Sequence, residues 1–143
     1  MENNNSLYIK KLKEKNDILT EICNYTASKD FQITEDEMQH IHNYLLKREE
    51  QISILTNIQQ DIRKLNIPKD QKNNPEIINI VAKNDELIKK IVKCDKINFQ
   101  KFSLINDLIK DNIKSIKNIG KANKSYYGMY DSQLLGSSFD SKS

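Results

Sequence analysis

The only histidines in this chain of 143 residues, His40 and His42, stand two positions apart. Imidazoles bind a metal ion from one helix when they sit three or four residues apart on the same face, with further ligands converging. At i and i+2 they point to different faces, and no further ligands converge on them, so both read as surface residues. Cys23 and Cys94 are far apart and have no C-x-x-C partner, which makes them small apolar residues rather than a redox pair. No G-x-S-x-G, phosphate loop or H-E-x-x-H occurs. The three glycines, Gly120, Gly128 and Gly136, all lie near the C-terminus, leaving none to cradle a phosphate elsewhere. The sequence therefore predicts a protein that is not an enzyme and has no metal or cofactor. Arg48 is the one charge placed on an apolar seam. Two readings stay open: a buried guanidinium paired with a carboxylate, or a side chain snorkelling at a loose edge of the bundle. As a functional residue it would anchor an acidic group on a partner.

Composition narrows the remaining classes. Hydrophobic residues are 37% and charged residues 30%, the balance of a folded helical protein. No apolar run approaches the ~20 residues of a membrane span, so no membrane insertion is expected. The opening "MENNNSLYIKKLK" lacks the basic and apolar regions of a secretory signal, which makes the cytoplasm the expected location. Net charge is only +3, and of 23 basic residues just Arg48 and Arg63 are arginine. Lysines alternate with acidic residues and form no stripe, so nucleic acid is not an expected partner.

The elements that would position any site are helices. From Leu7 to Ala27, apolar residues recur at helical spacing through Tyr8, Leu12, Leu19 and Ile22, interrupted at Lys15. Thr34 and Glu37 have the spacing of a capping box, with Ile33 and Met38 as its hydrophobic staple. A second helix follows over about 35–66, with a heptad seam of Met38, Ile41, Leu45, Arg48, Ile52, Leu55, Gln59 and Ile62. Asn74-Pro75-Glu76 is a helix start, Asn as cap and Pro in the first turn. The third helical pattern runs over about 75–119. Asn84, Asp95 and Asn98 interrupt it, which predicts a kink near 95–98, and Gly120 would end it. The expectation is an all-α fold: three long antiparallel helices (about 7–27, 35–66 and 75–119) in a hairpin or bundle over residues 1–119, then a flexible tail over 120–143.

Length mismatch points to a binding surface. At about 1.5 Å per residue the second helix spans roughly 48 Å and the third roughly 67 Å, an overhang of roughly 19 Å. The overhang still carries Leu108, Ile109, Ile113, Ile116 and Ile119. With Phe102 and Ile105 before it, this stretch is the candidate client-binding strip, fit for an apolar helix laid along it. The tail "SYYGMYDSQLLGSSFD" gathers Tyr126, Tyr127, Tyr130, Leu134 and Leu135 between glycines. It is too apolar for an inert linker and too glycine-rich to fold alone. It is expected to shield the strip until a client displaces it, although a tail with no such role stays open.

Two stretches carry a family resemblance. "LLKREEQISIL" (Leu45 to Leu55) is similar to the second helix of the FlgN/FliT flagellar export chaperones. The close, Tyr126, Tyr127 and Tyr130 followed by "SSFDSKS", resembles the ending of several of its members. The resemblance implies a chaperone of flagellar type III secretion that holds the C-terminal helices of late export clients. These would be hook-filament junction proteins (FlgN type) or the filament cap (FliT type), delivered to the export gate. There a C-terminal tyrosine takes part in docking, and which of the three corresponds stays open. Such a protein would be a monomer or weak homodimer. The alternative from another class is a structural coiled-coil protein that self-associates through its apolar helical strip.

Overall fold

The computed structural model of the chain describes residues 4–113. It contains three helices, α1 (Asn4–Ala27), α2 (Met38–Lys64) and α3 (Pro75–Ile113), and no strand among the described residues. α2 runs antiparallel to α1: Tyr25 stacks on Tyr44 with ring centroids 5.5 Å apart, and Lys15 Nζ donates to Gln59 Oε1 at 2.8 Å. α3 returns parallel to α1. Lys13 pairs with Glu76 near its start, Asn16 Nδ2 donates to Asn84 Oδ1 at 2.9 Å, and Lys101 Nζ donates to Asp30 Oδ1 at 2.8 Å. The topology is up-down-up.

Helix boundaries follow from local chemistry. Asn74 caps α3 as expected, its Oδ1 accepting the Glu76 N–H at 2.9 Å. The start of α2 differs from the capping box. Thr34 makes no side-chain cap, and Glu35–Glu37 form a short 3-10 turn before α2 begins. Glu37 reaches back to the Gln32 N–H at 3.0 Å instead of that of Thr34, while its other oxygen lies 2.8 Å from His40 Nδ1. The staple is also displaced: Ile33 is exposed and Phe31 is buried in its stead. α2 ends where Asn66 adopts φ of 49°, the left-handed conformation that asparagine tolerates and that turns the chain out of a helix.

The core is one strip of three clusters. Near the α1–α2 loop Phe31, Ile41, Tyr44, Leu45, Phe102 and Ile105 pack together. Ile18, Leu19, Ile22, Leu55 and Ile91 fill the middle. Tyr8, Leu12, Ile62, Ile67, Ile77 and Ile80 close the end by the α2–α3 loop. The expected seam of α2 is buried at Ile41, Leu45, Arg48, Leu55 and Ile62. Tyr44 and Gln51 are buried as well, because α2 faces two neighbours rather than one. Lys15, the gap in the α1 stripe, is half-buried; burial pushes its pKa down, opposed by the charge of Asp85.

α3 is one continuous helix through 95–98, without the break that its polar residues suggested. The polar residues that suggested it face the core and are paired across helices, which leaves the backbone ladder undisturbed. Asn84 donates to the Leu12 carbonyl at 3.3 Å as well as accepting from Asn16. Asp95 holds Arg48, and Asn98 Nδ2 donates to Tyr44 Oη at 3.4 Å.

Candidate docking surface

The strip expected on α3 divides three ways. Phe102 and Ile105 are fully buried core residues, and Ile109 is half-buried against the same cluster. This corrects the assignment of Phe102 and Ile105 to a client-binding strip. The reason is stagger: Phe31 and the start of α2 reach far enough to cover α3 at Phe102, Ile105 and Ile109, so the overhang begins later than the helix lengths suggest. Leu108 is exposed, at 37%. Ile113 is the last described residue of α3, and Ile116 and Ile119 lie outside the described residues. So do Tyr126, Tyr127, Tyr130, Leu134 and Leu135, and the shielding role expected of them.

A different apolar surface lies between α2 and α3. α1 packs closely on both, whereas the backbones of α2 and α3 scarcely approach one another. Side chains bridge the gap, and where aliphatic residues meet it they leave a small cavity of about 20 Å³. Its floor is Leu19 and Ile22 of α1, with Leu55 and Ile91 beside them, all buried. Its mouth is Ile52 on α2 and Ile88 and Val92 on α3, all half-buried. On α3 the same face continues as Val81, Ile88, Val92 and Phe99, at i, i+7, i+11 and i+18, each exposed or half-buried. The result is an apolar groove running along the α2–α3 seam. The spacing was present in the sequence, but periodicity does not show how far apart two helices stand.

A buried ion pair crosses this seam between Val92 and Phe99. Arg48 Nη1 lies 2.6 Å from Asp95 Oδ1 and Nη2 lies 3.1 Å from Oδ2, a two-pronged grip between α2 and α3. Nη1 also donates to Tyr44 Oη at 2.9 Å and to Thr26 Oγ1 at 3.1 Å, so all three helices meet at this guanidinium. Of the two sequence readings, the buried pair is the one observed. Burial by itself would lower the Arg48 pKa; the hydrogen bond to Asp95 and the charges of Tyr44 and Asp95 outweigh it and the net direction is up. Arg48 stays charged throughout the working range. Its Nε and both side-chain polar atoms of Gln51, one turn on, are buried without a hydrogen-bond partner.

Among the described residues no group of side chains converges on a reaction. His40 is exposed, and its partner Glu37 is held below the usual carboxylate range by that histidine and by the Gln32 N–H. With Tyr25, Lys29 and Phe31 they border an open hollow beside the α1–α2 loop, which offers no nucleophile beside a base. Among the described residues no three His, Cys, Asp or Glu side chains gather as a metal requires, and no helix is long and apolar enough to cross a membrane. No family model, curated protein or solved structure matches this chain.

Proposed function

We propose that this protein is a non-enzymatic, cytoplasmic chaperone that binds an apolar helix of another protein in the α2–α3 groove. Following the resemblance of Leu45–Leu55 and of the C-terminal tyrosines, the clients are the C-terminal helices of hook-filament junction or filament-cap proteins, which it delivers to the flagellar export gate. The observation that carries the reading is the groove itself: Ile52, Val81, Ile88, Val92 and Phe99 stand partly in solvent along a seam where two helices are held apart. A fourth helix laid there would complete a four-helix bundle, the helix-in-groove mode of recognition. Burying several such side chains is worth about 1.5–3 kcal/mol each before ordering costs, which allows micromolar to nanomolar affinity.

Calorimetry with peptides spanning the C-terminal helices of junction and cap proteins tests the reading. Binding is expected for one client class, and Ile88→Asp with Val92→Asp is expected to abolish it while helical content by circular dichroism holds. Failure of every such peptide to bind would remove the proposal. Binding that survives the groove substitutions but is lost on deleting residues 114–143 would move the client site to the C-terminal segment.

A further inference from the structure

Lys15 interrupts the apolar stripe of α1, and its place in the fold is the floor of the α2–α3 groove. Lys15, Leu19 and Ile22 follow at i, i+4 and i+7, so Lys15 stands one turn from the two residues that floor the small aliphatic cavity. Lys15 Nζ donates to Gln59 Oε1 at 2.8 Å, and Gln59 lies two turns along α2 from Ile52, on the same face as that groove residue. The charges of Asp85 on α3 and Arg63 on α2 also act on Lys15, which places its head where all three helices come near one another. Those two are of opposite sign, and among the described residues no carboxylate forms an ion pair with Lys15, so its own charge is left over. The neighbouring charges are matched among themselves. Lys11 is held by Glu14 and Asp61, Lys89 lies 3.5 Å from Glu86, and exposed Glu49 and Lys96 further along the seam are opposite in sign. An ammonium can donate three hydrogen bonds, and a half-buried one with a neutral amide as its acceptor is poorly solvated. Burial accordingly pushes the Lys15 pKa down.

We propose that the helix taken up by the α2–α3 groove carries an acidic side chain, and that Lys15 receives it. The inference rests on the groove reading above and adds what the groove selects. A purely apolar helix laid along the seam would cover Lys15, strip away its remaining water and leave the ammonium without a counter-charge, which is costly. A helix with a carboxylate at that level replaces the lost water with a charge-assisted hydrogen bond. Lys15 thus works against the wrong partner as much as for the right one. Along α1, at about 1.5 Å per residue, Lys15 lies about 8 Å from the middle of the Leu19–Ile22 floor. On a helix lying alongside, the carboxylate is therefore about four to seven positions from the apolar side chain over the cavity mouth, on the same face. That fixed distance sets register. Sliding the bound helix by one turn would take the carboxylate away from Lys15.

Fluorescence anisotropy on the full chain tests the proposal, with labelled helical peptides of about 20 residues that share one leucine stripe. The peptides differ at a single stripe position, which is Glu, Gln, Leu or Lys. Because the stripe repeats, either direction of binding can bring that position to Lys15. The Glu peptide is expected to bind about tenfold or more tighter than the Gln and Leu peptides, with the Lys peptide weakest. Lys15→Met, which keeps a long unbranched stem and a high helix propensity, should remove this preference and favour the Leu peptide. Lys15→Glu should reverse it in favour of the Lys peptide, which a lysine that merely supports Gln59 would not do. Ile88→Asp with Val92→Asp should abolish binding of every peptide. Equal binding of the Glu and Leu peptides overturns the inference and leaves the groove reading standing, as does a Glu preference that persists in Lys15→Met. Failure of every peptide to bind either the unaltered chain or Lys15→Met, or binding indifferent to the groove substitutions, overturns both.

Discussion

At the end of the bundle by the α2–α3 loop, the core is Tyr8 and five aliphatic residues, Leu12, Ile62, Ile67, Ile77 and Ile80. At the opposite end Ile41, Leu45 and Ile105 share the core with rings and charge. Phe31 meets Tyr44 and Phe102 edge-on at 5.2 and 4.9 Å, and Arg48 grips Asp95 one turn further along. Aliphatic contacts depend on area and hardly on direction, so sliding one helix past another by a turn would bury a comparable amount. A guanidinium fork and crossed rings accept a single geometry. The aliphatic end therefore supplies cohesion, while the aromatic and ionic end fixes stagger. It also sets the α2–α3 distance, because an arginine reaching an aspartate spans more than two isoleucines do, and the groove follows from that spacing.

The largest test of this contrast is Asp95→Ala. It leaves a buried guanidinium without its counter-charge, and urea denaturation should show a loss of about 3–5 kcal/mol. Replacing both partners, Arg48→Met with Asp95→Leu, should cost far less, since the pair recovers little beyond its own desolvation and leaves Nε unpaired. A double variant as unstable as the single one would show that the pair contributes cohesion as well as stagger. At the aliphatic end Ile77→Val should cost only about 0.5–1.5 kcal/mol, measured the same way. A loss equal to that of Asp95→Ala would erase the distinction between the ends. Asn74→Ala, which removes the cap of α3, should cost about 1 kcal/mol and fray the first turn in hydrogen exchange.

The smallest effect is on acidification. The pKa of Glu37 is lowered by His40 and the Gln32 N–H, and that of Asp30 by Lys101. A carboxylate whose folded pKa lies below its unfolded value contributes stability above the unfolded value and loses it as pH falls through the folded one. Both sit at the aromatic end, so amide protection factors around the α1–α2 loop should fall on acidification below about pH 4 before those of the aliphatic end do. Equal response at both ends would break the comparison.

The helices were legible because apolar spacing and the Asn74-Pro75-Glu76 start are local signals. Three features were not. Asn84, Asp95 and Asn98 resembled flaws in α3 because their partners Asn16, Arg48 and Tyr44 are 68, 47 and 54 residues away. Phe31 sits in a polar loop with no periodicity to mark it as core, yet it is what covers Phe102. The docking strip was sought where helix lengths differ. Exposure depends on stagger and spacing between helices, and these are set by long-range contacts such as Arg48–Asp95 that no window of sequence contains.

The central place of α1, touching both other helices while α2 and α3 scarcely meet, has a consequence in time. α1 and α2 are joined by residues 28–37, so their hairpin closes over a short loop at little entropic cost. α3 finds its place only by coming back along α1, over separations such as the 68 residues between Asn16 and Asn84. Contacts that close long loops form late. The hairpin is thus the natural early structure in folding, and the Arg48–Asp95 grip, which needs α3 already docked, closes near the end. Losing that grip should speed unfolding far more than it slows folding.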